Sequence, residues 1–173
     1  LVTPNQGLGT VSILFGDGRG HFAHAPQSPI AAGPEPFSST IADLNGDGRP
    51  DIVVANYSGH GTDLERGGIT WIRNDGSRRF TAFTQRLVAG REMARIAAGD
   101  FNGDGVTDVA ASNSAASDVT IVFGSRAGAM RSVSIPTMPH PHAVAFADLN
   151  RDGRAELLVI SEERDELLIV QGR

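Results

Sequence analysis

One segment of the chain occurs three times, and it constrains the fold more than any other feature. The copies read IADLNGDGRPDIVVAN from Ile41, AGDFNGDGVTDVAASN from Ala98 and FADLNRDGRAELLVIS from Phe146. A second apolar run follows each copy, and a further run of that kind, TVSILFGDG, begins at Thr10. The copies recur at a period of about fifty residues, which suits a four-stranded propeller blade rather than a helical repeat.

Each repeat predicts four antiparallel strands, which we call A to D. Strand A precedes the acidic segment, and the apolar strand B follows it. Along strand C, the large apolar residues stand at alternate positions, and strand D is the more polar outer edge. The 21 Gly and 9 Pro residues agree with short strands joined by many turns. We therefore predict an all-β fold of about three blade equivalents. In this single propeller segment, residues 1–33 form a partial blade (strands C and D), residues 34–90 and 91–138 form full blades, and residues 139–173 form a partial blade (strands A, B and C).

The repeated loop has the pattern D-x-N-x-D-G-x-x-[DE]. Oxygen side chains at alternate positions, with glycine at the sixth for a sharp turn, suit a hard cation that takes six to eight oxygen ligands. An EF-hand loop would need a glutamate at position twelve, whereas here the last acid stands at position nine and a strand follows. Asp-Gly and Asn-Gly pairs could alternatively form turns without an ion.

We predict three Ca²⁺ ions, one in each loop, because oxygen-only ligands favour calcium over zinc or copper. The predicted ligands are the side chains at positions one, three, five and nine and the backbone carbonyl at position seven. They are Asp43, Asn45, Asp47, Arg49 and Asp51; Asp100, Asn102, Asp104, Val106 and Asp108; and Asp148, Asn150, Asp152, Arg154 and Glu156.

These loops, together with the pairs Phe15-Gly16 and Phe123-Gly124, resemble the FG-GAP/VCBS repeat family. Blades of that family form the head of integrin α-chains, certain calcium-containing fungal lectins and parts of many secreted bacterial proteins. The other two copies depart from the Phe-Gly pattern, with Arg73-Asn74 and Gln171-Gly172. The resemblance implies a calcium-binding β-propeller, an extracellular or cell-envelope location, and a ligand site on the face opposite the metal loops.

Candidate ligand-binding residues lie in the loops assigned to that opposite face. The longest loop, YSGHGTDLERGG between strands B and C, is either functional or a tolerated surface insertion. The histidines of MPHPH share one side of an extended segment, and they either bind a ligand or line the channel mouth. The candidates are Tyr57, His60, Arg66, Arg91, His140 and His142.

The composition favours a binding module over an enzyme. The chain has no Lys, one Tyr and no carboxylate pair outside the loops in an acid/base arrangement. We expect a calcium-stabilised binding or adhesion module for a glycan or protein ligand. The alternatives are a propeller-based polysaccharide lyase or hydrolase, or a purely architectural blade array of a larger protein.

The expected partners follow from the charge distribution and from the blade count. Nine of the 20 acidic residues stand in the metal loops, and outside the loops the 15 Arg outnumber the other 11 acids, so the net charge of −5 does not indicate a cationic partner. We expect neither nucleic-acid binding nor membrane insertion. Three blade equivalents are too few for a closed ring, so we expect other blades of a longer chain or homo-oligomerisation to complete it.

Overall fold

The computed structural model describes residues 1–57, 67–77, 79–89, 92–127 and 130–172, with the backbone alone for residues 82–89. Strands dominate the described residues, which also form two short 3-10 turns, at Gln6–Leu8 and Ser114–Ala116. No helix in these ranges is long and apolar enough to cross a membrane.

The first two sheets, I and II, are antiparallel and follow one another along the chain. In sheet I, the third and fourth strands both pair with the second, one after the other. Its strands are β1 (Val2–Asn5), β2 (Thr10–Gly16), β3 (Phe22–His24) and β4 (Ile30–Ala31). Sheet II has the order β5-β6-β7-β8. Its strands are β5 (Pro36–Ala42), β6 (Asp51–Asn56), β7 (Gly68–Asn74) and β8 (Phe80–Ala89).

Sheet III repeats the four-stranded arrangement of sheet II, and sheet IV repeats its first three strands. Sheet III consists of β9 (Met93–Gly99), β10 (Asp108–Asn113), β11 (Asp118–Phe123) and β12 (Arg131–Pro136), and sheet IV of β13 (Pro141–Ala147), β14 (Glu156–Ser161) and β15 (Leu167–Val170). Every strand pair within these sheets is antiparallel. The predicted all-β fold of four-stranded antiparallel blades is therefore confirmed.

The core lies in three layers between successive sheets. Successive side chains of a strand point to opposite faces, and every residue of β6 is buried. Ile52 and Val54 pack with Val11 in the layer between sheets I and II. Val53 packs with Val109 in the layer between sheets II and III. The middle of β6, Ile52 to Ala55, is therefore continuously apolar because each face of the strand contacts a different neighbouring sheet.

The acidic loops of sheets II and III also contact the following sheet. Leu44, the second residue of its loop, is fully buried in the layer between sheets II and III. The backbone N–H of Ser125 donates to the Leu44 carbonyl oxygen over 2.8 Å. A β-carbon on Gly124 would come 2.9 Å from that oxygen, so the Phe-Gly glycine permits the close approach. These two loops thus lie at the joints between sheets.

Candidate metal centres

Each acidic loop joins strand A to strand B and folds around its first carboxylate. We call them loop I (residues 43–51), loop II (residues 100–108) and loop III (residues 148–156). In loop I, the Asp43 carboxylate accepts the backbone N–H groups of Asp47 at 3.1 Å and Gly48 at 2.7 Å. Asp100 and Asp148 accept the corresponding N–H groups of their own loops. The three loops therefore share one backbone path.

The side chains at positions three and five accept further backbone hydrogen bonds within the loop. In loop I, Asn45 Oδ1 accepts the backbone N–H of Asp47 at 3.2 Å, and Asp47 Oδ1 accepts that of Arg49 at 3.0 Å. Loops II and III contain the same two bonds. The glycine at position six has a φ of +81° in Gly48, which a residue with a β-carbon rarely adopts. The spacing of the acidic and asparagine residues is thus explained by a turn whose backbone N–H groups bind their side-chain oxygen atoms.

The acid at position nine is buried in all three loops, and in loop II it joins the loop to strand C. Asp108 Oδ1 accepts the backbone N–H of Gly124 and its Oδ2 accepts that of Phe101, each at 2.9 Å. Burial raises the pKa of Asp108, and these hydrogen bonds oppose the rise. Glu156 makes the equivalent bond to the N–H of Leu149 at 2.8 Å.

In loop I the position-nine acid has a side-chain donor that the sequence analysis did not predict. Asp51 Oδ2 accepts the indole Nε1–H of Trp71 at 2.8 Å, and Oδ1 accepts the Asn74 N–H at 2.8 Å. Burial raises the pKa of Asp51, and the nearby charges of Asp47 and Asp43 raise it further. The only sequence signal was a tryptophan at a position that holds isoleucine in the other repeats.

The donor set fits an oxygen-seeking cation, although the carboxylates alone do not enclose one. Among the described residues, no three His, Cys, Asp or Glu side chains converge as a metal site. An ion would therefore also need the asparagine oxygen and the carbonyl at position seven. A carboxylate oxygen that accepts one N–H keeps further lone-pair capacity for an ion. In loop I, the Arg49 guanidinium lies 2.6 Å from Asp47 Oδ2 and would compete for that oxygen.

On the opposite face, the structure places Tyr57 in a mixed aromatic and charged group. The Tyr57 and Phe37 rings lie 5.4 Å apart, and the Arg95 guanidinium lies 5.0 Å from the centre of the Phe37 ring. Burial raises the pKa of Tyr57, and the charges of Glu92 and Glu35 add to this effect. The candidates His60, Arg66 and Arg91 lie outside the described residues.

The two candidate histidines contact different acids. His140 Nε2 lies 3.3 Å from Glu163 Oε1, and His142 Nδ1 lies 3.4 Å from Glu162 Oε2. Both glutamates belong to the turn between β14 and β15. The pairs tie the start of strand A to that turn.

A left-handed residue precedes strand A in each of sheets II, III and IV. Glu35, Glu92 and His140 have φ values of +45°, +48° and +49°. The carbonyl of each accepts an N–H from the residue that follows strand B, as Tyr57 N–H does to Glu35 at 2.9 Å. Sequence analysis missed this conformation because no glycine or asparagine stands there.

Asp118 lies on the same face but is not an inert surface acid. Its Oδ1 and the Oδ1 of Asn113 are both buried without a hydrogen-bond partner. The two residues oppose each other in the β10–β11 register. Burial raises the pKa of Asp118, and a hydrogen bond with the Asn113 side chain only partly offsets the rise.

Packed antiparallel sheets that carry acidic A-to-B loops define a β-propeller-like repeat protein. The model of the FG-GAP-like repeat matches residues 1–54, 61–111 and 100–159, so the chain belongs to the FG-GAP-like repeat family. No curated protein matches the chain.

The first prediction compares the buried acid at position nine of loop II with the exposed acid at position five. Asp108→Ala should lower the free energy of unfolding by about 2–4 kcal/mol in excess chelator, since two N–H groups would lose their acceptor. The matched change Asp104→Ala removes an exposed carboxylate from the same loop and should cost clearly less. Urea denaturation in EGTA measures both. Equal losses would show that position nine has no special structural role.

The second prediction concerns pH. Because the folded-state pKa of Asp118 is raised, its stabilising contribution is present below the unfolded pKa and is lost as pH rises through the folded pKa. Asp118→Asn stays neutral and offers Asn113 a donor, so it should raise the urea midpoint at pH 7. Most of that gain should disappear near pH 3, where the wild-type carboxyl group is also neutral. A gain that did not change with pH would contradict this assignment.

Proposed function

We propose that the protein is a calcium-stabilised β-propeller module that binds a glycan or protein ligand outside the cell or in the cell envelope. The observation that carries the calcium assignment is the recurrence of one oxygen-rich loop, with one hydrogen-bond pattern, in three blades. A loop that only reverses the direction of the chain does not require an acid at positions one, five and nine. It also does not require the same hydrogen-bond pattern in three blades. Hard oxygen ligands in this number are those that calcium takes.

Electrostatic repulsion supports an ion in the loops. The charges of Asp43 and Asp47 act on Asp51 in the direction that disfavours its ionised form. A bound divalent cation would reverse that effect, because opposite charge favours the carboxylate form. An ion bound only by the folded chain would also stabilise it by mass action. Loops I and II lie at the joints between sheets, so this stabilisation would act there on the packing of neighbouring sheets.

The group around Tyr57 supports ligand binding on the opposite face. Aromatic rings at Tyr57 and Phe37 offer an apolar surface to a sugar ring, and Arg95, Glu35 and Glu92 offer hydrogen bonds to hydroxyl groups. Loops held on a rigid scaffold are common places for binding sites. We assign binding rather than catalysis, and the enzyme and the purely architectural array remain the alternatives.

The calcium prediction concerns the number of calcium ions bound to each chain. Native mass spectrometry after dialysis against calcium should find three ions on the wild-type chain and two on Asp104→Ala. Glu163→Ala, an exposed acid outside the loops, is the control and should keep three. No bound calcium, or an unchanged count in Asp104→Ala, would contradict the assignment.

The ligand prediction uses a glycan array. Wild-type protein should bind a subset of glycans, and Tyr57→Ala should lose most of that binding. Phe22→Ala, which removes an exposed ring on sheet I, should not. Chain cleavage of uronic-acid polymers would instead support the lyase or hydrolase, and neither binding nor cleavage would support the architectural array.

A further inference from the structure

Loops II and III contact each other directly at the joint between sheets III and IV. The backbone N–H of Ala155 in loop III donates to the carbonyl oxygen of Asp100 in loop II over 2.9 Å. Asp100 is the first candidate ligand of loop II, and Ala155 immediately precedes Glu156, the last candidate ligand of loop III. The two candidate metal sites are therefore linked by a backbone hydrogen bond next to their ligands.

The Arg154 side chain makes a second contact across this joint. It lies on Gly103, at position four of loop II, where a β-carbon would come 2.8 Å from Arg154 Cγ and 2.9 Å from Arg154 Nε. The Gly103 N–H in turn donates to Asp100 Oδ1 at 2.8 Å. Arg154 therefore covers the residue that holds the position-one carboxylate of loop II, while its own carbonyl is the candidate position-seven ligand of loop III.

Loops I and II are linked through the turn that follows β11. The backbone N–H of Gly124 donates to Asp108 Oδ1, at position nine of loop II, over 2.9 Å. The N–H of the next residue, Ser125, donates to the Leu44 carbonyl oxygen of loop I over 2.8 Å. Two consecutive N–H groups thus bind two different acidic loops.

Arg126, the third residue of this turn, contacts both loops with one side chain. It lies on Gly46, at position four of loop I, as Arg154 lies on the equivalent Gly103 of loop II. Its Nη2 donates to the carbonyl oxygen of Gly105 in loop II at 3.2 Å. Both joints therefore place an arginine on the position-four glycine of the preceding loop, although the two arginines come from different parts of the repeat.

These contacts connect the order of one loop with the order of its neighbour. Without a cation, the carboxylates of one loop repel one another, and a divalent cation would remove that repulsion and fix the loop. A fixed loop holds its half of the shared contacts in place. The neighbouring loop then loses less conformational freedom when it binds its own ion, and the effect is reciprocal.

We propose that the three loops bind calcium cooperatively, with Arg154 coupling loops II and III and Arg126 coupling loops I and II. The inference rests on the proposed function, because it requires calcium in the loops. Both arginines are positioning residues, since neither side chain offers an oxygen atom to an ion. Each can therefore be shortened without removing a ligand from any site.

Native mass spectrometry at half-saturating calcium tests the coupling. In the wild type, chains with no ion and with three ions should predominate, whereas independent sites would give mostly chains with one or two. Arg154→Ala should still bind three ions at saturation, but its partly loaded chains should accumulate as the coupling factor falls about fivefold or more. Arg19→Ala, the control, removes an exposed arginine from a sheet that carries none of the three loops, and should behave as the wild type.

A second variant separates packing from charge. Arg154→Met keeps a long side chain over Gly103 and should retain most of the coupling. Three ions that bind independently in the wild type, or coupling that Arg154→Ala leaves unchanged, would overturn the inference and leave the calcium assignment intact. Equal losses in Arg154→Met and Arg154→Ala would overturn the role assigned to this contact. A wild type that binds no calcium would overturn both the inference and the proposed function.

Discussion

The buried carboxylate at position nine is the interaction on which the three blades with an acidic loop depend. It is the first residue of strand B. Asp108 holds both the loop in front of it and the end of strand C, whereas Asp51 holds strand C and Glu156 holds the loop. A buried acceptor of this kind is costly to remove, because the N–H groups it serves would lose their partners. The same carboxylate is a candidate calcium ligand. Blade structure and the proposed ion binding would therefore share one side chain.

Packing between blades follows from this anchor. Once the loop is fixed, its second residue projects into the next layer of core, as Leu44 and Phe101 do. Strand B then has an apolar neighbour on each face and contributes to two layers at once.

The repeat predicted strands B and C and the loops well, because each follows from an apolar run or from a turn of fixed spacing. It predicted local detail less well. The outer strand of sheet I, expected as a single strand D, is split into β3 and β4. The left-handed Glu35 and the bond from Trp71 to Asp51 also depend on tertiary contacts that no periodicity encodes.

The central claim is that calcium in the three loops stabilises the packed blades. The most direct measurement is the thermal unfolding midpoint as a function of free calcium, with magnesium at equal ionic strength as the control. We predict a midpoint that rises with calcium concentration, by mass action on the folded state, and rises much less with magnesium. A midpoint that is the same in excess EGTA and in saturating calcium, for protein shown to bind the ion, would contradict the account.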